Sequence, residues 1–169
     1  KAAKNVKKTT HAHDVLPPPE EATNFRAMAA RANYLALDRH DISFATKELC
    51  RCCANPNGQA LTSLKRLTRY LIVMRRVVWQ FQFQPSNNSI VTSVATDFAG
   101  CLSTRRSTSG GAAMRGRHLL RHWSTTQSTV TLSSAEAQLG GIAKGASISM
   151  GLRSIAQDLG LTWDLTLLT

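Results

Sequence analysis

The sequence predicts an α/β protein of the α+β type, in which a helical N-terminal segment precedes a mixed sheet with one long helix. Apolar residues recur at helical spacing between residues 25 and 74, and from Val77 the spacing changes to the two-residue alternation of strands. A second helical stretch at 133–159 then precedes a last short strand. The 169 residues, of which 43% are hydrophobic, suffice for one full domain or two small ones.

Three segments follow from these patterns: a basic, proline-rich tail at 1–22, a helical segment at 23–76 and a sheet-containing domain at 77–169. Four lysines lie in the first eight residues, and Pro17-Pro18-Pro19 predicts a stiff, extended spacer. The chain begins at Lys1 and shows no apolar signal-peptide core, so we expect it to be processed or cut from a larger protein.

Helices are predicted at 23–36, 41–53 and 59–74. Thr23 or Asn24 is expected to cap the first helix, and Asp41 to cap the second. The third helix carries basic residues on the side away from its apolar stripe, namely Lys65, Arg66 and Arg69. Contact with phosphate and plain solvation explain that basic face equally well.

Strands are predicted at 77–84, 90–97, 107–114, 117–124 and 163–168. The first would be half-buried, because Trp79, Phe81 and Phe83 alternate with glutamines. The long helix contains Gly140, Gly141, Gly145 and Gly151, which weaken it but allow another element to pack closely.

Two isolated acids mark the candidate site. Asp97 ends a predicted strand and Glu136 opens the long helix, and facing carboxylates of this kind are the minimum frame of a two-metal nuclease. Each acid has a structural alternative. Ser133 and Glu136 have the spacing of a capping box, and Asp97 fits a solvated turn before Gly100.

The net charge of +11 predicts affinity for polyanions, with nucleic acid first, although general solubility would also explain it. Between Phe98 and Ala135 there are five arginines and no acid. The four cysteines lack the paired spacing of a zinc site, which favours reduced thiols and an intracellular protein of the cytoplasm or nucleus, with an organelle left open. No apolar run approaches the length of a membrane span.

Ordered motifs between Phe25 and Leu161 resemble one family. The upstream motifs occupy residues 32–39, 41–45 and 64–71. The downstream motifs are Asp97-Phe98-Ala99-Gly100-Cys101, Thr104-Arg105-Arg106-Ser107-Thr108-Ser109-Gly110, Trp123-Ser124 and Leu132-Ser133-Ser134-Ala135-Glu136-Ala137. The sequence resembles the Pol polyprotein of copia-type retrotransposons, where the reverse transcriptase ends and the ribonuclease H domain begins. One departure is His40, where the family usually has proline.

The resemblance implies an incomplete ribonuclease H-like sheet and cleavage of the RNA strand in RNA–DNA hybrids. Four carboxylates of that family hold two Mg²⁺ ions. Asp97 and Glu136 match two acidic positions, but Ala95 stands where the family has its first metal-binding aspartate, and the third and fourth acids would fall beyond Thr169. Asp97 and Glu136 alone would bind a metal weakly. Arg105, Arg106 and Ser107 would face the hybrid backbone.

Three functions remain open at this point. The first is a retroelement-derived, catalytically inactive fragment that binds RNA or RNA–DNA hybrid through its basic surface. The second is a captured structural subunit that packs into a larger protein assembly. The third is a Mg²⁺-dependent hybrid nuclease completed by residues beyond Thr169.

Overall fold

The computed structural model describes residues 17–101 and 103–169. The chain divides into two compact units, with the boundary between Val77 and Val78. We describe each unit by itself. Most of the predicted basic tail, residues 1–16, lies outside the described residues.

The first unit is helical. It contains α1 (Pro19–Leu35), a 3-10 turn (His40–Ile42), α2 (Ser43–Arg51) and α3 (Gly58–Val73). Its core contains the large apolar side chains Phe25, Ile42, Leu49 and Leu67, together with alanines at 29, 32, 36 and 60. The small alanine side chains on α1 allow the helices to approach closely, so a modest number of large residues fills the core.

Helix α1 begins at Pro19, so the prediction that the tail extends through residue 22 was wrong. Pro18 precedes the helix and no side chain caps it, which also corrects the expected caps Thr23 and Asn24. The Thr23 hydroxyl donates instead to the Pro19 carbonyl oxygen at 3.0 Å. A proline suits the first helical position because its φ is already helical and it has no N–H to leave unbonded.

Asp41 does not cap α2, which corrects a second prediction. The residue before α2 is Ile42, without a side-chain cap, and Asp41 lies in the preceding 3-10 turn. The guanidinium of Arg39 donates to both carboxylate oxygens of Asp41 at 2.9 and 2.7 Å, and the Tyr70 hydroxyl donates at 2.8 Å. These hydrogen bonds, with that from Arg39 the largest cause, lower the pKa of Asp41 to about 2. The cluster connects the α1–α2 link to α3.

The second unit is a four-stranded mixed sheet with one helix. It contains β1 (Ser89–Thr96), β2 (Thr108–Arg115), β3 (His118–Thr126), α4 (Ser134–Asp158) and β4 (Asp164–Leu168). The strand order is β3-β2-β1-β4, with antiparallel pairs β1–β2 and β2–β3 and a parallel pair β1–β4. Helix α4 is the crossover between β3 and β4 and packs on the sheet. The predicted fold class is thereby confirmed.

The predicted strand at 77–84 was wrong, because this segment joins no sheet. Trp79, Phe81 and Phe83 are 41%, 69% and 98% exposed, respectively, and so are not the buried side of a strand. Alternation of two residues predicts an extended backbone, but a strand also needs a neighbouring edge. The segment docks instead on the β2–β3 turn through Gln82 and Gln84.

The glycines of α4 allow it to approach β1 closely, as predicted. A Cβ atom added to Gly145 would lie 2.5 Å from Val94 Cγ2 and 3.2 Å from Leu167 Cδ1, and one added to Gly141 would lie 3.1 Å from Val94 Cγ1. One turn beyond Gly145, the hydroxyls of Ser149 and Thr92 form a buried hydrogen bond at 2.7 Å. The backbone of α4 thus lies directly against the side chains of β1.

Helix α4 ends as its sequence predicts. Gly160 has a φ of 74°, and the N–H groups of Gly160 and Leu161 donate to the carbonyl oxygens of Gln157 and Ala156, both at 2.9 Å. This pair of bonds satisfies carbonyls that the helix end leaves open, and glycine adopts the left-handed conformation without a side-chain clash.

Two alanine substitutions in α4 test the close approach. Gly145→Ala should destabilise the protein by about 1–3 kcal/mol, because a methyl group must displace Val94 and Leu167. Gly151→Ala is the matched control, since nothing lies within 4 Å of the added methyl. It should stabilise the protein by about 0.5–1 kcal/mol through helix propensity. Urea unfolding of the full chain measures both, and equal effects would contradict the packing.

The Asp41 cluster predicts an acid-sensitive step in stability. Because the folded pKa of about 2 lies below the ordinary value of 3.8, the cluster stabilises the fold above about pH 4. That contribution is lost as the pH falls toward 2. Asp41→Asn should remove this part of the pH dependence, measured as thermal unfolding by circular dichroism at a series of pH values. Tyr70→Phe keeps the ion pair between Arg39 and Asp41, so this variant should retain most of the pH dependence. If Tyr70→Phe removed the pH dependence as fully as Asp41→Asn, the role of Arg39 would be contradicted.

Candidate nucleic-acid interface and carboxylate site

Asp97 holds together the two ends of a loop. It follows the last residue of β1, and its N–H donates to the Thr108 carbonyl oxygen at 3.0 Å. Its carboxylate accepts a short hydrogen bond from the Thr108 N–H, and a side chain at Gly100 would collide with it. The carboxylate is therefore engaged in closing the loop between β1 and β2, although the side chain remains exposed.

The loop closed by Asp97, residues 97–108, is called the basic loop below. Inside it the Cys101 N–H donates to the Arg106 carbonyl oxygen at 3.2 Å, and the Arg105 N–H donates to the Cys101 carbonyl oxygen at 2.7 Å. Ala99 and Arg105 have positive φ angles of 51° and 56°. Both residues thus have a left-handed backbone, and the side chains of Arg105 and Arg106 are exposed.

Ser107 is buried, so its prediction as a backbone-contacting surface residue was wrong. Its hydroxyl accepts a hydrogen bond from the Ala99 N–H at 3.1 Å and lies 3.2 Å from the Thr131 hydroxyl. It is 0% exposed. The residue directly precedes β2, where Ser109 is also buried, so the inward side of that strand already begins at Ser107.

Glu136 caps α4. Its N–H donates to the Ser133 hydroxyl at 3.1 Å, and its carboxylate accepts from the Leu132 N–H at 2.7 Å. This confirms the capping arrangement, with the carboxylate bonded one residue earlier than the N-cap. Glu136 thus has the same kind of role as Asp97, since each carboxylate accepts a backbone N–H at the end of an element.

The two acidic segments meet without forming one carboxylate cluster. The Ser107 and Thr131 hydroxyls join the basic loop to the chain that leads into α4. A cleft of about 540 Å³ beside the first turns of α4 is lined by Glu136 and by mostly hydroxyl and amide side chains, but Asp97 is not among its lining residues.

Ala95 does not face α4. Side chains alternate along a strand, and Thr92 and Val94 of β1 pack toward α4. Ala95 therefore points to the opposite face of the sheet, where it is exposed. An aspartate at this position would likewise start from the face away from Glu136.

These residues do not fit a two-magnesium site. No group of three metal-ligating side chains occurs within residues 17–101 and 103–169. Both candidate carboxylates already accept backbone N–H groups, and Mg²⁺ needs several oxygen ligands in near-octahedral geometry. The arrangement supports loop closure and helix capping rather than metal-dependent hydrolysis.

The predicted basic face of the helical unit is exposed. Lys65, Arg66 and Arg69 all lie on α3, and none is buried. Arg66 borders a cleft of about 420 Å³, whose lining includes Phe44 and Tyr70.

Within the described chain, no helix is both long and apolar enough to cross a membrane.

Sequence reasoning missed a cleft at the other end of the sheet. Phe83 and Arg117 line this cleft, which has a volume of about 440 Å³. The sequence predicts a half-buried strand for Phe83 and gives no specific role to Arg117. The alternation of aromatic residues with glutamine was the available signal.

Comparison with curated proteins found three Arabidopsis thaliana relatives. An uncharacterized mitochondrial protein is 30% identical over 129 residues, which cover 75% of this chain and 52% of the relative. The retrovirus-related Pol polyproteins from transposons RE2 and RE1 are each 29% identical, over 94% and 83% of this chain.

This chain spans about half of the mitochondrial relative (52%) and about a tenth of the Pol polyproteins (11% and 10%). No family model and no solved structure matched. Both Pol matches run through most of the chain and therefore include the motifs on which the resemblance rests. The resemblance is borne out: this chain is similar to the retrovirus-related Pol polyproteins of two retrotransposons.

Proposed function

We propose that this chain is a retroelement-derived reverse transcriptase–ribonuclease H segment that binds nucleic acid and does not cleave it. The observation that carries the proposal is the basic loop. Asp97 closes this loop with its carboxylate, and the loop presents Arg105 and Arg106 to solvent. The carboxylate of Asp97, a candidate metal ligand, thus holds the loop that carries Arg105 and Arg106.

Charge supports binding to the phosphate backbone. Arg105 and Arg106 are adjacent, exposed and far in sequence from any acid except Asp97, which is engaged with Thr108. Arginine donates in a planar fork that suits phosphate oxygens. The exposed face of α3, with Lys65, Arg66 and Arg69, is a second candidate surface for RNA or RNA–DNA hybrid.

The proposed lack of cleavage rests on the side chains that are available as metal ligands. Two-metal hydrolysis needs ions held about 4 Å apart by bridging carboxylates. Here Ala95 supplies no ligand, and Asp97 and Glu136 each accept a backbone N–H. A Mg²⁺ ion would have to break those hydrogen bonds before binding.

One observation favours the alternative of a structural subunit in a larger assembly. Helix α4 covers one face of the sheet, and no other described helix of this unit covers the opposite face. Ser93 and Ala95 are exposed on that face. A sheet normally buries both faces or leaves a polar one in water, so a protein partner could pack there.

Salt dependence tests the binding proposal. Affinity of the full chain for a labelled RNA–DNA hybrid should fall steeply as salt rises, because bound phosphates release counterions. Arg105→Ala/Arg106→Ala should reduce the slope of log affinity against log salt by roughly 2, at about 0.9 per phosphate contact. Arg31→Ala/Arg153→Ala removes the same charge elsewhere and serves as the control. No binding at low salt, with the protein still folded, would favour the structural subunit.

A cleavage assay tests inactivity. The full chain should not cut RNA–DNA hybrid with Mg²⁺ or Mn²⁺, and Ala95→Asp should not restore cutting, because residue 95 lies on the sheet face away from α4. The readout is product formation on a denaturing gel. Cutting by the unmodified chain that disappears in Glu136→Gln would show that the acids are catalytic.

A further inference from the structure

We propose that the cleft beside the β2–β3 turn binds single-stranded nucleic acid, with bases stacked on Phe81 and Phe83 and a phosphate at Arg117. This inference rests on the proposed nucleic-acid binding and adds a further contact surface, distinct from the basic loop and from the exposed face of α3, with its own substrate class. The cleft of about 440 Å³ is lined by Phe83, Gln84, Pro85, Ser86, Asn87 and Arg117.

The two phenylalanine rings are available for stacking. Phe83 is 98% exposed and Phe81 is 69% exposed. They are two residues apart in the segment between α3 and β1, so both rings belong to the same short stretch of chain. Base–aromatic stacking tolerates any sequence because every base has a π face, and single-strand-binding proteins use rows of aromatic rings in this way.

The rings stand on a segment that is held in place. The Gln84 side chain donates to the Arg115 carbonyl oxygen at 2.9 Å and accepts from the Arg117 N–H at 3.0 Å. The His118 ring lies 2.9 Å from the Gln82 carbonyl oxygen, and its centroid is 5.3 Å from that of Phe81. A preorganised segment loses little conformational entropy on binding, which favours affinity.

Charge decides between a nucleotide and a purely apolar partner. Arg115 is engaged, because its Nε donates to the Asn87 carbonyl oxygen at 2.8 Å and its guanidinium lies 4.9 Å from the Trp163 ring centroid. Arg117 is exposed, and it forms no ion pair within residues 17–101 and 103–169. Asp164 begins β4 at this end of the sheet, but it does not line the cleft. An aromatic ring beside an exposed guanidinium matches a base and its phosphate.

Stacking on the two phenylalanine rings favours single-stranded over double-stranded nucleic acid. Stacking on a protein ring needs an unpaired base, which a duplex does not offer. The cleft and the basic loop lie at opposite ends of β2, whose eight residues place them roughly 25 Å apart at about 3.4 Å per residue. The two surfaces can therefore be perturbed separately.

Fluorescence anisotropy of a labelled oligouridylate and of a labelled RNA–DNA hybrid tests the inference on the full chain. Phe81→Leu/Phe83→Leu should weaken oligouridylate binding at least fivefold and leave hybrid binding within twofold of the unmodified chain. Arg117→Gln should weaken oligouridylate binding and reduce its salt dependence. Tyr34→Leu, at an aromatic residue that is 78% exposed on α1, is the matched control and should change neither.

The outcomes separate this inference from the proposed function. If hybrid binding depends on Arg105 and Arg106 but oligouridylate binding is unchanged by the phenylalanine variants, the cleft is not a single-strand site and only this inference fails. If neither nucleic acid binds, both fail. Self-association of the unmodified chain that Phe81→Leu/Phe83→Leu abolishes, without an effect on oligouridylate, would show a protein interface and overturn the inference. Circular dichroism verifies that each variant is folded.

Discussion

The close approach of α4 to β1 determines the geometry of the sheet unit. Side chains of both a helix and a sheet normally fill the layer between them, but Gly141 and Gly145 contribute none where α4 crosses the side chain of Val94. The distance between α4 and β1 determines where the first turn of α4 lies. That turn includes Glu136, whose carboxylate accepts the Leu132 N–H, and the preceding Thr131 reaches the Ser107 hydroxyl at 3.2 Å. The glycine contact is thus coupled to the base of the basic loop.

The carboxylates of Asp97 and Glu136 accept backbone hydrogen bonds, whereas those of a two-metal nuclease bind metal ions. In a two-metal nuclease, carboxylates must leave their oxygens open to cations. Here Asp97 and Glu136 accept backbone N–H groups from Thr108 and Leu132, respectively. Each bond satisfies a donor that a loop or helix start would otherwise leave to water. The two acids therefore have structural roles that do not depend on a metal ion.

Local patterns were enough to predict much of this fold. Strands β1 to β4, helix α4, its cap at Ser133 and its glycine end at Gly160 all follow from periodicity and capping chemistry. The errors arose where another partner competed with the local pattern. Asp41 has the chemistry of an N-cap, but Arg39 and Tyr70 bind its carboxylate. The alternating aromatics of 77–84 fit a strand, but the segment docks on a turn without joining the sheet.

The candidate site was predictable in its residues and not in their surroundings. Asp97, Glu136, Arg105 and Arg106 stand out in the sequence, and the structure places both arginines in solvent. Sequence could not show that Ser107 is buried against Thr131, because that contact joins residues 24 positions apart. Nor could it show that Phe83 and Arg117 border one cleft, since a docked turn brings them together.

The central claim is that the carboxylates of Asp97 and Glu136 hold backbone N–H groups and not metal. Amide NMR of the full chain during a Mg²⁺ titration at constant ionic strength tests this most directly, because Thr108 and Leu132 supply the bonded N–H groups. The account predicts that both amide resonances stay unchanged up to millimolar Mg²⁺. A saturable shift of either resonance, abolished by Asp97→Asn or Glu136→Gln, would contradict it.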